Sequence, residues 1–287
     1  MPELPEVETI RRQLAPAIEG RRIGQLEVLD ARWCRPLSAV ELTDAVVGRS
    51  VVALDRHGKY LDWELDYEIH LLMHLRMTGT LLLDPPSPPP YARVRIELGG
   101  HVLWFSDPRR FGTGELVAGA PALERFLAAR LGIEPFDQRF TGPLLRSLAA
   151  GRRGPLKPFL LDQRNVAGVG NIYADEALFR ARLHPLRAAG SLTPRQYALL
   201  ADAIRDALAA GIDARGASID DFRHLDGARG SFQDRFLVHR RDGEPCTVCA
   251  TTIEKLTVGG RGTYVCRHCQ PVPRGHSSSV ASRRVKS

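Results

Sequence analysis

Met1-Pro2-Glu3-Leu4-Pro5-Glu6-Val7-Glu8 opens the chain, and apolar residues then recur at Val7, Ile10, Leu14 and Ile18. That spacing is the stripe of an amphipathic helix starting near Leu4. Pro16 is expected to kink it or end its regular part, and Gly20 to stop it. Two readings of the first residues are open. In the structural one, a proline and acidic side chains mark a helix start, where the dipole favours negative charge. In the chemical one, Met1 is removed ahead of the small Pro2, which leaves a secondary amine at the terminus. An α-amino group has a reference pKa of roughly 7.7–8.0, so part of it is neutral near neutral pH. Such an amine attacks carbon electrophiles and forms Schiff bases, with neighbouring acids moving the protons. Glu3 is adjacent, and Glu6, three residues on, shares its helix face. A packed helix is a rigid mount for such a group.

Outward from this helix, Arg22 to about Val117 reads mostly as strands. Ile23 to Leu29 alternates. Val51 to Leu54 and Tyr60 to Leu65 flank the turn Arg56-His57-Gly58-Lys59. Ile69 to Leu83 is a strand interrupted at Thr78-Gly79, and Arg93 to Leu98 with His101 to Phe105 forms a hairpin over Gly99-Gly100. Asp84 to Pro90 carries five prolines and reads as an exposed loop. A β-sandwich with a packed helix follows, over residues 2–118. Three polar features stand out on it. Lys59 sits at a tight turn, by default a solvated tip. His74-Leu75-Arg76-Met77-Thr78-Gly79 ends an apolar strand, where His74 reads as a satisfied histidine and Met77 as core. Asp107-Pro108-Arg109-Arg110-Phe111-Gly112 sets two arginines beside an aromatic. That combination suits either a surface turn with Phe111 tucked inward or a loop that reads and wedges a nucleic-acid duplex.

Beyond residue 118, Ala-, Leu- and Arg-rich helix replaces strand, so 119–134 is assigned as a linker and 135–230 as a helical domain. Gly142 to Ala150 is expected to be helical. Gly168 and Gly170 form a turn ahead of a helix starting near Asn171, and turn amides at a helix start bind phosphate well. Thr193-Pro194-Arg195-Gln196 is a capped helix start, and that helix should run to about Gly211. The pair suits a DNA-docking helix-two-turn-helix or a plain helical hairpin. Ala217 to Gly230 is polar and Gly-flanked, and is read as a mobile lid or linker. In 231–270, Cys246-x-x-Cys249 and Cys266-x-x-Cys269 stand sixteen residues apart. Two such knuckles complete a closed Cys₄ zinc ribbon, so one structural Zn ion is expected and no catalytic metal. Arg261 would sit on the hairpin between the knuckles. Residues 271–287 are rich in Pro, Ser and Arg and read as a disordered basic tail.

The charge balance agrees with this layout. A net charge of +7 over 287 residues points to a polyanionic partner, nucleic acid before membrane. No apolar run reaches membrane-spanning length and no signal-peptide pattern opens the chain, so a cytoplasmic location is expected. Four of the five cysteines lie in the ribbon, and the lone Cys34 reads as a small core residue.

Taken together, these stretches resemble the formamidopyrimidine-DNA glycosylases, bacterial enzymes of base-excision repair. The match covers Pro2 to about Gln270 in six stretches: Pro2–Glu6, Gly58–Leu61, His74–Gly79, Asp107–Gly112, Leu161–Glu176 and the zinc ribbon. The resemblance implies an α+β, multi-domain bifunctional glycosylase and lyase. It would remove oxidised purines from damaged double-stranded DNA, flipping the lesion out of the duplex. Pro2 would attack the sugar C1′ and form a Schiff base, with Glu3 moving protons and Glu6 holding the local network. Lys59 would approach the lesion and its phosphates, and β,δ-elimination would then cut the strand. Met77, Arg109 and Phe111 match duplex-inserting side chains. His74, Lys157, Asn171 and Arg261 match contacts to flanking phosphates, and residues 217–230 match a loop closing over the oxidised purine. No redox or nucleotide cofactor is implied, and a monomer is expected. One departure is Val238-His239-Arg240-Arg241, where the family usually carries Val-Tyr-Gly-Arg, so His239 replaces a phosphate-contacting Tyr.

Two rivals remain at this level. The endonuclease VIII type favours oxidised pyrimidines but typically carries Gly where this chain has Leu4. A non-catalytic damage-recognising DNA-binding protein on the same scaffold would not need Pro2 and Glu3 intact.

Overall fold

The computed structural model describes residues 1–219 and 222–272. The tail from residue 273 and two positions of the expected closing loop, 220 and 221, lie outside the described residues.

Helix α1 spans Leu4–Ile18 and buries Val7, Ile10, Leu14 and Ile18 completely. It continues through Pro16, where the regular part was expected to kink or end, and stops ahead of Gly20 as expected. A proline in the last turn removes one hydrogen bond, while Ala15 and Ile18 still gain burial there. The helix ends where the Glu19 amide donates to Ala15 O (3.0 Å) and Gly20 turns to φ +75°.

Eight strands follow: β1 (Ile23–Val28), β2 (Val51–His57), β3 (Tyr60–Leu65), β4 (Ile69–His74), β5 (Thr80–Leu83), β6 (Ala92–Leu98), β7 (His101–Ser106) and β8 (Thr113–Ala118). They form two antiparallel sheets, ordered β1-β6-β7-β5 and β2-β3-β4-β8. One core joins them. Leu26, Leu81, Val94, Ile96, Leu103 and Phe105 come from the first sheet, and Leu54, Leu61, Trp63, Leu71 and Met73 from the second. The apolar stripe of α1 completes the core. Each such side chain contributes about 1.5–3 kcal/mol on full burial, so α1 is anchored far more firmly than helix propensity alone would hold it. The β6–β7 turn is Gly99-Gly100 with φ +56° and +89°, the left-handed pair a two-residue hairpin needs.

One helix interrupts the run expected to be mostly strands. Helix α2 (Ala39–Val46) starts at a reciprocal cap, with Ser38 Oγ accepting from the Glu41 amide (3.2 Å) and Glu41 Oε2 from the Ser38 amide (2.8 Å). The Ser-x-x-Glu signature was visible in the sequence. Its short length and the surrounding strand pattern masked it.

The second half is helical: α3 (Ala120–Ala128), α4 (Gly142–Ala149), the short α5 (Leu156–Leu161), α6 (Asn171–Arg180) and α7 (Pro194–Asp213). Thr193 and Gln196 make the reciprocal cap foreseen for α7, which runs two residues past Gly211. A hairpin of β9 (Glu254–Val258) and β10 (Arg261–Val265) closes the described chain.

The chain forms two compact units that interleave along its length. One comprises Met1–Arg139, Asp162–Gly170 and Arg205–Arg235; the other comprises Phe140–Leu161, Asn171–Ile204 and the chain from Phe236. In the first, the described part of the 217–230 loop is not merely polar surface. Phe222 and Leu225 enter the sandwich core, and the Leu83 amide donates to Leu225 O (3.1 Å). The polar neighbours had hidden these two anchors.

Candidate functional site

In the first unit, Glu3 is the N-cap of α1 and only 1% exposed. Its amide donates to Glu6 Oε2 (2.8 Å), and its carboxylate accepts from the Glu6 amide. Glu6 Oε1 in turn accepts from the Ala217 amide (2.7 Å). The structural reading of the opening residues is therefore correct, since they are a capping box. The same bonds lock two acids and the buried Pro2 onto one rigid helix end.

A glycine turn grips this end. The Leu4 amide donates to Gly168 O (3.1 Å), and Gly168 has φ +84°. A Cβ on Gly170 would lie 2.3 Å from the Glu3 carboxyl carbon, so only glycine lets the two meet. Lys59 is 5% exposed rather than a solvated tip, and its Nζ donates to Val169 O (3.1 Å). Val169 and Gly170 are neighbours, so Lys59 and Glu3 meet the same three-residue turn.

The Gly58-Lys59 hairpin is held by residues the sequence did not single out. Glu134 accepts from the Gly58 amide, and Arg56 Nη1 donates to Gly58 O (2.9 Å) and Glu134 Oε2 (3.1 Å). Arg56 Nε also reaches Glu8 Oε2 at 3.2 Å. Burial opposes ionisation of Glu8, but hydrogen bonds from Arg11 and Arg12 and the Arg56 charge outweigh it and bring its pKa down to about 2.

Two further loops on this unit are built together. Asp107 is fully buried, and its Oδ1 accepts from Thr78 Oγ1 and the Arg109 amide (3.1 Å). Its Oδ2 accepts from the Phe111 and Gly112 amides, both at 2.8 Å. One carboxylate thus shapes the 107–112 loop and ties it to the turn carrying Met77. Phe111 is 50% exposed, against the alternative that it is tucked into the core. The Arg109 guanidinium lies 4.8 Å from the Phe111 ring centre, whereas Arg110 is held by Asp30. Arg109 forms no ion pair among the described residues. Met77 is half-buried. His74 is buried, its Nδ1 accepting from the Arg76 amide (2.9 Å) and its ring edge-on to Tyr60. Burial, then the charges of Arg76 and Lys59, push its pKa well below the usual imidazole value. The ring is neutral, and with Nδ1 accepting, Nε2 carries the proton as a donor.

In the second unit, Arg261 is exposed and follows the Gly259-Gly260 turn of the β9–β10 hairpin. Asn171 opens α6 and donates through Nδ2 to Gly262 O (3.1 Å). Lys157 does not face solvent beside them. It is fully buried, and its ammonium meets Asp175 Oδ1 (2.7 Å), Thr263 Oγ1 (2.8 Å) and Gly262 O (3.1 Å). These contacts let the buried ammonium brace the hairpin from inside. His239 likewise turns inward, with Nδ1 2.8 Å from Asp175 Oδ2.

Cys246, Cys249, Cys266 and Cys269 form no disulfide, and their Sγ atoms lie within 4.8 Å of one another. Sulfur separations of 3.4, 3.6 and 3.9 Å occur among them. A tetrahedron with metal–sulfur bonds of about 2.3 Å has edges near 3.8 Å, so the cluster fits one closed zinc site.

Comparison with known proteins follows the same division. Residues 1–114 match the formamidopyrimidine-DNA glycosylase N-terminal domain, 131–223 the formamidopyrimidine-DNA glycosylase H2TH domain, and 243–272 the zinc finger found in FPG and IleRS. The chain is 42% identical to a formamidopyrimidine-DNA glycosylase of Syntrophotalea carbinolica over 94% of its own length and 100% of that protein's. The crystal structure of the MutM (Fpg) protein of Thermus thermophilus is similar at 42% identity and a TM-score of 0.85, covering 94% of this chain and 98% of that one. A Lactococcus lactis FPG mutant, solved in complex with Fapy-dG-containing DNA, is similar at 35% identity and a TM-score of 0.88, over 94% and 100% of the two chains. The sandwich, the helical segment and the zinc-binding ribbon, in this order and over nearly the whole length, place the chain in the formamidopyrimidine-DNA glycosylase family.

Proposed function

We propose that this chain excises oxidised purines (8-oxoguanine and formamidopyrimidines) from duplex DNA and then cuts the strand as a lyase. With Met1 removed, the Pro2 amine attacks the sugar C1′ of a flipped nucleotide and displaces the base, leaving a Schiff base. Glu3 protonates the opening sugar ring and then takes the C2′ proton, which expels the 3′ phosphate by β-elimination. A second elimination expels the 5′ phosphate. Lys59 lies against the lesion and its phosphates, and Glu6 keeps Glu3 and the helix end in register. The observation that carries this reading is the seating of Glu3. A nearly fully buried carboxylate is fixed beside Pro2 by a capping box and by Gly170, more order than a helix start alone requires.

The DNA contacts extend the reading. Met77, Arg109 and Phe111 fill the space left by the flipped base, with Arg109 facing the orphaned cytosine. His74, Asn171 and Arg261 hold flanking phosphates, which fixes register without reading sequence. His74 serves as a neutral donor. Lys157 acts from inside, on the hairpin that presents Arg261. The protein works as a cytoplasmic monomer on DNA and needs no redox or nucleotide cofactor.

Borohydride trapping tests the proposal on duplexes carrying one 8-oxoguanine opposite cytosine, beside intact and oxidised-pyrimidine duplexes. A covalent adduct mainly on the oxoguanine strand, lost in Pro2→Gly, supports amine catalysis and the purine assignment together. An adduct mainly on the pyrimidine lesion refutes the purine assignment. No adduct, with the mass showing Met1 gone, refutes amine catalysis.

A further inference from the structure

Gln163 lies in the turn after α5, outside every role assigned above. Its side-chain amide closes both ends of a short bracket, with Oε1 accepting from the Gly168 amide (2.8 Å) and Nε2 donating to Val169 O (2.8 Å). Its own carbonyl accepts from the Gly132 amide (2.8 Å), which anchors the bracket to a separate stretch of chain. The Val169 carbonyl therefore receives two donors, Gln163 Nε2 and Lys59 Nζ. The residues on either side of it carry the contacts to the helix end, since Gly168 O takes the Leu4 amide and Gly170 abuts the Glu3 carboxyl group.

We propose that Gln163 is a positioning residue: by bracketing the Gly168–Gly170 turn it holds the Val169 carbonyl that aims Lys59. The physical ground is that a glycine-rich turn has the widest conformational freedom of any backbone. Gly168 sits at φ +84°, a region open chiefly to glycine, so contacts from outside the turn hold the observed path. A primary amide is the side chain suited to this task, because it offers an acceptor and a donor at one planar end. Glutamate keeps the acceptor for Gly168 but sets a second oxygen against the Val169 carbonyl, and leucine removes both bonds at similar volume.

The inference rests on the proposed catalytic role of Lys59, so the experiment separates the two. Single-turnover trapping on an 8-oxoguanine duplex is measured for the full-length chain, Gln163→Leu, Gln163→Glu, Lys59→Met and the double variant Gln163→Leu/Lys59→Met. Lesion-duplex affinity and thermal melting are recorded for each. In the wild-type background both Gln163 variants should slow trapping by about tenfold or more, as misplaced reacting groups do. Affinity should stay within about twofold. In the Lys59→Met background, Gln163→Leu should add less than about twofold, the non-additivity of groups acting through one another. Wild-type trapping rates in both Gln163 variants, or the same slowing with and without Lys59, would overturn the proposal. If Lys59→Met itself traps at the wild-type rate, it is the role of Lys59 that fails. Hydrogen exchange at residues 168–170 of the DNA-free protein then decides for Gln163: faster exchange in Gln163→Leu upholds the bracket, and unchanged exchange overturns it.

Discussion

At Glu3, a carboxylate sits almost wholly out of water yet keeps hydrogen-bond partners from its own helix. Replacing it by Gln preserves the shape and most of the cap but removes the proton donor and acceptor. Glu3→Gln should therefore bind a lesion duplex near normally while base excision falls by at least about 100-fold, the usual scale of general acid–base catalysis. Full turnover in a single-turnover excision assay would remove Glu3 from that role. His74 makes a second prediction at this scale. Its pKa in the fold lies below the ordinary imidazole value, so the unfolded chain binds the proton more readily. Its contribution to stability is thus intact above the unfolded pKa of about 6.5 and declines as pH drops below that value, until the folded pKa is passed. In His74→Gln the fall in melting temperature between about pH 7 and pH 5 should be smaller than in the parent chain. An identical fall in the two proteins would show that His74 is not the residue responsible.

Among the elements, two loops depend on single residues. The Asp107 carboxylate receives three backbone amides and the Thr78 hydroxyl, so Asp107→Ala strands several donors. Unsatisfied buried donors cost about 1–3 kcal/mol each, and a loss near 3 kcal/mol is expected by urea denaturation. The same variant should weaken discrimination of the base opposite the lesion as strongly as Arg109→Ala does. An unaltered opposite-base profile in both variants would exclude this loop from readout. At the glycine turn the argument is steric. Gly170→Ala places a carbon 2.3 Å from the Glu3 carboxyl carbon, where something must shift. Overpacking of this kind costs about 1–3 kcal/mol, and excision should fall much more steeply than duplex affinity. The capping box at Thr193–Gln196 and the Gly99-Gly100 turn were legible beforehand, because caps and two-residue turns are local chemistry, whereas the Ser38–Glu41 box was passed over amid strand patterning. The Asp107, Gln163 and Glu134 contacts were not, because each closes a loop whose path is decided elsewhere.

Over the whole molecule, the apolar residues gather into separate cores. The sandwich core includes α1, Phe222 and Leu225, whereas Phe179, Val238, Ile253 and Tyr264 cluster with the ribbon cysteines. Metal removal should therefore act on one core and spare the other. Chelation, or Cys249→Ser, should release one zinc per chain and abolish duplex binding, while the sandwich keeps its own thermal transition. A single transition lost as a whole, or unchanged binding without zinc, would contradict this division. The sequence alone determined the three-part order, the helix at the opening, the sandwich strands, the Cys₄ ribbon and the family, because hydrophobic period, turn chemistry and ligand spacing are local signals. Residue type and position also marked Pro2, Glu3 and Glu6 as candidates, whereas Lys59 became one only through the family resemblance. Tertiary structure alone decided which way long polar side chains turn. Lys157 stands in an apolar run and Lys59 at a tight turn, yet both turn inward: Lys157 braces Gly262 and Lys59 reaches the Val169 carbonyl. A flexible four-carbon stem can serve solvent, phosphate or a distant carbonyl equally well, so only the folded chain, by placing acceptors within reach, makes the choice.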